Sequence, residues 1–462
     1  MDAFDLVVLG GGTGGYTAAI RAAQLGLGVA IVEEDKVGGV CLHRGCIPTK
    51  VMLESAEALS LVRRSNKLGV EVENIRLDFS LVARRQREVV EGLHKNLQNL
   101  IRKHRIEVIA GRGRFLSPTE IAVGEGERKL SARHVVIATG SRSKELPGLP
   151  CDGEHILTSD HALALEAVPE SMIIIGGGSI GLEFASAYLD FGCQVALVEM
   201  LPGLLPLEDS DLGAGIGRVL VQRGANVLTG ARVLADGARV YDDVVEVPVE
   251  REGEKSVLRG QKVLVAVGRR GNVEDVGLEK TGVEAEAGFV RVDERMQTSD
   301  PNVYAVGDVA GGLLLAHVAA AEGTLAAEAI AGQDPEPIDY SRMPRVVYTR
   351  PRVAAVGLTE AEAKGQGRQV KLGRFPFRYN PMALIKDEPD GFVKVVTDAQ
   401  SGDLLGVHIL GAGADEIIGQ GALARWLDAS AWEVATSVRP HPSLSEALGE
   451  ALQLATGGTK VE

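Results

Sequence analysis

The chain carries the same strand, glycine turn, helix and strand pattern twice. Leu6-Val7-Val8-Leu9 is a short apolar run, as expected of a strand buried on both faces. It leads into Gly10-Gly11-Gly12-Thr13-Gly14-Gly15, a helical stretch from Tyr16 to Leu25, a stop at Gly26, and a second run, Val29-Ala30-Ile31-Val32, ending at Glu33. After a displacement of 166 residues, Met172-Ile173-Ile174-Ile175 leads into Gly176-Gly177-Gly178-Ser179-Ile180-Gly181. A helix from Leu182 to Phe191 then stops at Gly192, and Val195–Val198 ends at Glu199. In both copies the first glycine stands 23 residues before the acid. G-x-G-x-x-G between a strand and a helix, with an acid closing the next strand, is a dinucleotide-binding pattern. Gly10 and Gly176 permit the tight turn, Gly12 and Gly178 admit a pyrophosphate, and Gly15 and Gly181 let helix and sheet approach. The helix N-terminus offers free N–H groups to phosphate, and Glu33 and Glu199 would accept hydrogen bonds from a ribose. One such motif could be only a turn in an α/β sheet. Two complete copies imply two dinucleotide sites. A carboxylate at Glu199 would repel a 2′-phosphate, and residues 200–205 contain no cation, so the second site is expected to prefer NAD over NADP.

A chain of 462 residues suggests about three domains. Glycine accounts for 57 of them, well above the norm of about 7%. With no strict glycine period, the excess should sit in turns and close backbone approaches. The formal charge of −14 makes the chain a poor nucleic-acid binder and would repel anionic membranes. Its apolar runs, such as Met172–Ile175 and Leu313–Ala316, fall far short of the ~20 residues a bilayer helix needs. The opening MDAFDLVVLGGG lacks a basic, then apolar leader pattern, and a cytoplasmic location is expected. Leu81–Arg102 reads as a solvated surface helix, and Val135–Ala138 as a buried strand ending at Thr139-Gly140-Ser141. Pro147–Pro150 reads as a linker, and Val263–Val267, ending at Gly268-Arg269, echoes the earlier strand. Val303–Val306 leads to Gly307-Asp308 and an Ala-rich helix from Leu314 to Ala331. Beyond Pro335-Glu336-Pro337, alternating strands at Phe392–Val396 and Leu405–Ile409 suggest a separate α+β domain. The expected division is 1–147, 148–270, 271–340 and 341–462, the first and third parts forming one nucleotide domain.

Four cysteines in so long a chain do not make a secreted disulfide framework. Cys151 and Cys193 stand apart; Cys41 and Cys46 are close, in Gly38-Gly39-Val40-Cys41-Leu42-His43-Arg44-Gly45-Cys46-Ile47-Pro48-Thr49-Lys50. On one regular helix their Cα atoms would lie ~8–9 Å apart, whereas a disulfide needs about 4.4–6.8 Å. A bonded pair therefore requires Cys41 in a distorted first turn or just before it, for which Gly45 and Pro48 make room. A thiol at a helix N-terminus would be activated. The segment admits two unconnected core thiols, a metal site built on Cys41, His43 and Cys46, or a redox pair. The metal reading lacks a second ligand pair of suitable spacing, and no metal is expected.

This segment resembles the redox-active segment of the flavoprotein disulfide reductases, the class I pyridine nucleotide-disulfide oxidoreductases, and most closely that of the dihydrolipoamide dehydrogenases. The likeness covers essentially the whole chain: SDPNVYAVGDVAGGLLLAHVA resembles the second FAD motif, GFVKVVTDAQSGDLLGVHILGAGADEIIG the C-terminal interface domain, and HPSLSEAL the catalytic histidine segment. It implies two tandem Rossmann-like domains, for FAD and NAD, and a C-terminal α+β dimerisation domain. FAD would be held by Gly10, Gly12, Gly15, Glu33, Lys50, Thr139, Gly140 and Asp308, and NAD by Gly176, Gly178, Gly181, Glu199 and Gly268. The helix after Gly307 would aim its N-terminus at the flavin. Cys41 would be the interchange thiol and Cys46 the flavin-side thiol of a redox disulfide. Lys50 would pair with Glu183. Taken alone, those two would read as a helix-surface lysine and a first-turn glutamate.

His441 would be the base that deprotonates the substrate thiol, oriented by Glu446. Ser443-Leu444-Ser445-Glu446 also fits a capping box. The resemblance further implies a homodimer whose histidine serves the partner subunit. Electrons would pass from protein-bound dihydrolipoamide through Cys41–Cys46 and FAD to NAD⁺, with the lipoyl and subunit-binding domains of a 2-oxo-acid dehydrogenase acyltransferase as partners. The sequence departs from the family pattern at Val40, at Arg378-Tyr379-Asn380-Pro381-Met382 and at Arg439-Pro440. Other readings are a reductase for a different disulfide and a non-catalytic flavin-binding subunit. Mercuric reductase is disfavoured by the tail 455–462, which has no cysteine pair, and glutathione reductase by the NAD-type acid.

Overall fold

The computed structural model describes residues 2–126 and 128–457. Residues 458–462, the end of the cysteine-free tail, lie outside the described residues. The chain forms two compact units. One comprises Met1–Val51, Ala83–Lys144 and Gly268–Tyr340, and the other Met52–Val82, Glu145–Val267 and Ser341–Glu462.

In the first unit, Asp2–Leu9 pairs in parallel with Val29–Glu33 on one side and with Arg128–Ile137 on the other. Glu107–Ala110 and Val303–Ala305 extend the parallel region, and Glu120–Val123 and Gly113–Ser117 complete a seven-stranded sheet as antiparallel strands. Leu6 and Val8 enter one core with Ala19, Ala22 and Ala326, while Val7 and Leu9 enter another with Phe115, Ile121 and Val135. Both faces are covered, so the strand reads as an unbroken apolar run. Helix Thr13–Gln24 begins three residues before the sequence suggested, directly on the glycine turn. Helix Ala316–Ile330 packs against it so closely that a Cβ on Gly323 would lie 2.4 Å from the Gly14 carbonyl oxygen.

In the second unit a parallel sheet runs in the order Asn226–Thr229, Gln194–Glu199, Ser171–Ile175, Lys262–Val265, Ile156–Leu157. Helix Ser179–Phe191 follows the second glycine turn and ends at Gly192, whose φ of +100° suits a residue without a side chain. The stretch read as a linker is packed instead: Leu149 bridges back to Leu146 and is buried. The C-terminal part is a five-stranded antiparallel sheet in the order Arg345–Val347, Arg352–Gly357, Leu404–Gly411, Phe392–Asp398, Val370–Pro376.

Two further expectations need correction. Strands Phe392–Asp398 and Leu404–Gly411 do not alternate, because the sheet is covered on both faces. Val393, Val395, Val407 and Ile409 pack with Ala447, Leu448 and Leu452 of helix Glu446–Thr456, whereas Phe392 and Leu410 join the core of Leu212 and Ile216. Helix Phe79–Lys103 is not simply solvated: Val82, Gln86 and Ile101 are buried, and the Gln86 amide donates to the Pro48 carbonyl at 3.1 Å. Among the described residues no helix is long and apolar enough to cross a membrane.

Candidate active site

The internal repeat extends to individual hydrogen bonds. Glu33 Oε2 accepts from the Gly11 N–H at 2.6 Å and Oε1 from the Asp35 N–H at 2.8 Å. Glu199 Oε2 accepts from the Gly177 N–H at 2.6 Å and Oε1 from the Leu201 N–H at 2.8 Å. Each carboxylate thus latches the middle of its own glycine turn. With about four lone-pair sites per carboxylate, room remains for ribose hydroxyls.

The three glycines of each motif differ in their backbone surroundings. Gly10 and Gly176 have φ of +102° and +114°. A Cβ on Gly15 or Gly181 would sit 2.0 Å from the carbonyl oxygen of Gly10 or Gly176. A Cβ on Gly12 or Gly178, by contrast, would meet nothing within 4 Å. That open cradle at a helix N-cap fits a pyrophosphate, so the residues present suit FAD at the first motif and NAD at the second. Gly12→Val should therefore fold yet fail to retain FAD, whereas Gly178→Val should keep FAD and raise the KM for NAD at least tenfold. Flavin absorbance and steady-state kinetics check both outcomes.

The cysteine segment is built onto the first glycine turn. The Gly38 N–H donates to the Gly11 carbonyl at 2.7 Å, and a Cβ on Gly39 would lie 2.7 Å from the Gly12 Cα. Cys41 lies within a six-residue helix, Gly39–Arg44, which Gly45 breaks with φ −139° and ψ −110°. Cys46 then opens helix Cys46–Arg63. The thiols are thus on two helices, and Cys46, rather than Cys41, occupies the long helix's first turn. Neither sulfur is in a disulfide. The Cys41 thiol is pushed far up, chiefly by its hydrogen bond to Cys46, then by burial and by the Cys46 charge; the Thr13 hydroxyl and the Lys50 ammonium act the other way. In the reduced pair Cys41 holds its proton tightly. Burial, above all, pushes up the hydroxyl of Tyr16, one turn into the glycine-motif helix, while its hydrogen bond with Thr13 acts the other way. His43 turns to the Val37 carbonyl at 3.0 Å and packs edge-to-face on His94. Among the described residues no three His, Cys, Asp or Glu side chains gather to hold a metal ion.

Asp308 lies in a short 3-10 turn, Gly307–Ala310, and the α-helix begins only at Ala316. The N-terminus that follows Gly307 directly is thus a single tight turn and not the long helix. Gly307 is the pivot, with φ +74°. The Asp308 carboxylate accepts from the Ser141 hydroxyl. Arg269 Nε donates to that hydroxyl at 2.7 Å, and its guanidinium donates to the Ser141 carbonyl at 2.8 Å. Thr139 is held in both directions by Asn272, through its hydroxyl at 2.7 Å and its carbonyl at 2.8 Å. Gly140 has φ +71° and open space where a Cβ would stand. Gly268 groups with this same unit, its carbonyl accepting from the Lys144 N–H at 2.9 Å. Thr13, Tyr16, Ser141, Arg269 and Glu322 escaped the reading of the sequence. Only Thr13, matched by Ser179 in the second copy, and Glu322, an acid within an Ala-rich helix, left a signal there.

His441 and Glu446 meet. His441 Nδ1 is 2.9 Å from Glu446 Oε1, and the other carboxylate oxygen accepts from the Ser443 N–H at 2.7 Å. The imidazole side chain is 70% exposed, with its Nδ1 engaged by Glu446. Slight desolvation opposes ionisation of Glu446, but the Ser443 N–H and His441 outweigh it and hold its carboxyl below the usual range. The capping box is only half formed, since the Ser443 hydroxyl pairs with the Ser445 hydroxyl. Glu183 is no first-turn residue: it lies in the second turn of helix Ser179–Phe191, is buried, and accepts from the Tyr348 N–H at 3.0 Å.

Comparison with known proteins agrees with this geometry. Residues 4–323 match the pyridine nucleotide-disulphide oxidoreductase family, and residues 343–452 match that family's dimerisation domain. A dihydrolipoyl dehydrogenase of Bacillus subtilis (strain 168) is 45% identical, the match covering 98% of both chains. One from Zymomonas mobilis is 43% identical over 99% of this chain and 98% of that one. Among solved structures, LpdA from Mycobacterium tuberculosis superposes with a TM-score of 0.89 at 27% identity, covering 98% of this chain and 99% of the other. The chain is a flavin- and NAD-using enzyme, and it belongs to the pyridine nucleotide-disulphide oxidoreductase family.

Proposed function

We propose that the chain oxidises dihydrolipoamide to lipoamide, with NAD as the final acceptor, and serves as the shared subunit of 2-oxo-acid dehydrogenase complexes. The observation that carries this reading is the junction of the first glycine motif with the cysteine pair, where Thr13 hydrogen-bonds Cys41. A dithiol-exchanging pair anchored on a dinucleotide turn suits transfer between a disulfide and FAD. The curated relatives named dihydrolipoyl dehydrogenase supply the substrate class. The net charge of −14 would suit a basic patch on an acyltransferase's subunit-binding domain, and the cytoplasm, where a dithiol cycle can turn over, is the proposed location.

The working form is a homodimer through the dimerisation domain, in which His441 serves the cysteine pair of the second copy. His441 Nε2 takes the proton of one substrate thiol while Glu446 holds the ring by Nδ1. The thiolate attacks Cys41 Sγ of the oxidised pair, so a substrate–Cys41 bond forms and the Cys41–Cys46 bond breaks, with the electron pair left on Cys46. The substrate's second sulfur then closes on the first, breaking the mixed disulfide. Cys41 leaves as a thiol, and lipoamide is released. Lys50, through its charge near the pair, favours the ionised form. Bound FAD supplies the two-electron acceptor for the reduced pair, and NAD the terminal hydride acceptor. Steady-state oxidation of dihydrolipoamide is expected with NAD and to be at least tenfold less efficient in kcat/KM with NADP. No turnover with either cofactor, or a preference for NADP with another disulfide, would overturn the proposal.

A further inference from the structure

Glu322 is the least expected residue of the first unit. It is 3% exposed within the otherwise apolar inner face of helix Ala316–Ile330, and none of the steps above uses it. Its two oxygens divide between two parts of the unit. Oε2 accepts from the Gly307 N–H at 2.7 Å, and Oε1 accepts from the Tyr340 hydroxyl at 2.9 Å. Its helix cannot drift, because the neighbouring Gly323 sits against the Gly14 carbonyl of the glycine-motif helix. Gly307 in turn opens the turn that presents Asp308, whose carboxylate is tied on its other side to Ser141 and Arg269. The Gly307–Asp308 turn is thus held from behind by Glu322 and from the side by Ser141.

We propose that Glu322, fixed by Tyr340, is a positioning residue that links the helix of the first glycine motif to the Gly307–Asp308 turn, and so holds together the two segments that clasp FAD. The inference rests on the assignment of Asp308 to FAD. The brace needs acceptor capacity rather than negative charge. Burial pushes the Glu322 carboxyl up to about 7, against the two hydrogen bonds it accepts and with the help of nearby Asp308. A neutral group of the same shape should therefore serve. An amide oxygen can accept from the Gly307 N–H while the amide NH₂ donates to the Tyr340 oxygen. A methyl group leaves the half-buried Gly307 N–H without this acceptor.

The test follows the release of FAD from purified holoenzyme, read as the rise in free-flavin fluorescence after dilution, beside the unfolding midpoint of each apoprotein. Glu322→Gln is expected to release FAD within about twofold of the unchanged protein. Glu322→Ala is expected to release it at least about tenfold faster, and Tyr340→Phe several-fold faster with little change in the apoprotein midpoint. Should Glu322→Ala fail to fold, Tyr340→Phe carries the test alone. Asp308→Ala is the reference for the clasp itself. Fast release from Asp308→Ala with none from Tyr340→Phe and Glu322→Ala overturns the brace alone. Slow release from all three overturns the assignment of Asp308 as well.

Discussion

Replacing Cys46 by serine is expected to cut dihydrolipoamide oxidation at least about 10³-fold, to the level of the uncatalysed exchange, while leaving FAD bound in full. Cys41→Ser should do the same. The covalent step needs both sulfurs, one to accept the substrate and one to leave, and a hydroxyl does neither. FAD is expected to survive because its cradle is backbone, the turn of Gly11, Gly12 and Gly38. The two variants should differ in one respect. With Cys46 as the proposed flavin-side sulfur, a long-wavelength absorption band on dithiol addition should persist in Cys41→Ser and vanish in Cys46→Ser. Turnover above a tenth of normal in either variant would remove the pair from the reaction.

The second large effect is at His441. His441→Gln should lower kcat by about 10² to 10⁴-fold, the span expected for loss of a positioned general base. Glu446→Gln should cost less, because it removes only the group that orients the ring. The pH dependence separates the two roles. A base must be unprotonated to accept, so the rate is expected to fall over an acid range of pH. The Glu446 carboxyl is held below its ordinary value, stays ionised through that range, and adds no second acid limb. An acid limb that survives unchanged in His441→Gln would assign the base elsewhere.

What could be read from the sequence was what is local or repeated. The two glycine turns, their helices and their acids lie within short segments whose spacing is dictated by strand and helix geometry, and a second copy gave each a check. The pairing of His441 with Glu446 was legible for the same reason, since five positions separate them. Less legible was what depends on distant chain. Ser141 meets Asp308 across 167 positions, and Arg269 meets Ser141 across 128; no pattern of residue types marks such partners. The cysteine segment was legible in part. Two thiols five positions apart cannot bond on one helix, and the sequence placed Cys41 in a distorted first turn or just before it. The chain takes the second course, ending one helix at Gly45 and starting another at Cys46. The C-terminal strands misled because their alternation was read against a single buried face, whereas packing on both faces keeps Phe392 and Leu410 as dry as Val393 and Ile409.

The latch between Glu199 and the Gly177 N–H has a consequence for cofactor engineering. The acid expected to discourage a 2′-phosphate also ties down the loop proposed to seat the diphosphate. Retargeting the enzyme by exchanging Glu199 for arginine would invite the extra phosphate and, in the same stroke, unfasten its seat. A productive redesign would have to install the cation at a neighbouring position such as Met200, which is exposed, and leave a hydrogen-bond acceptor at 199.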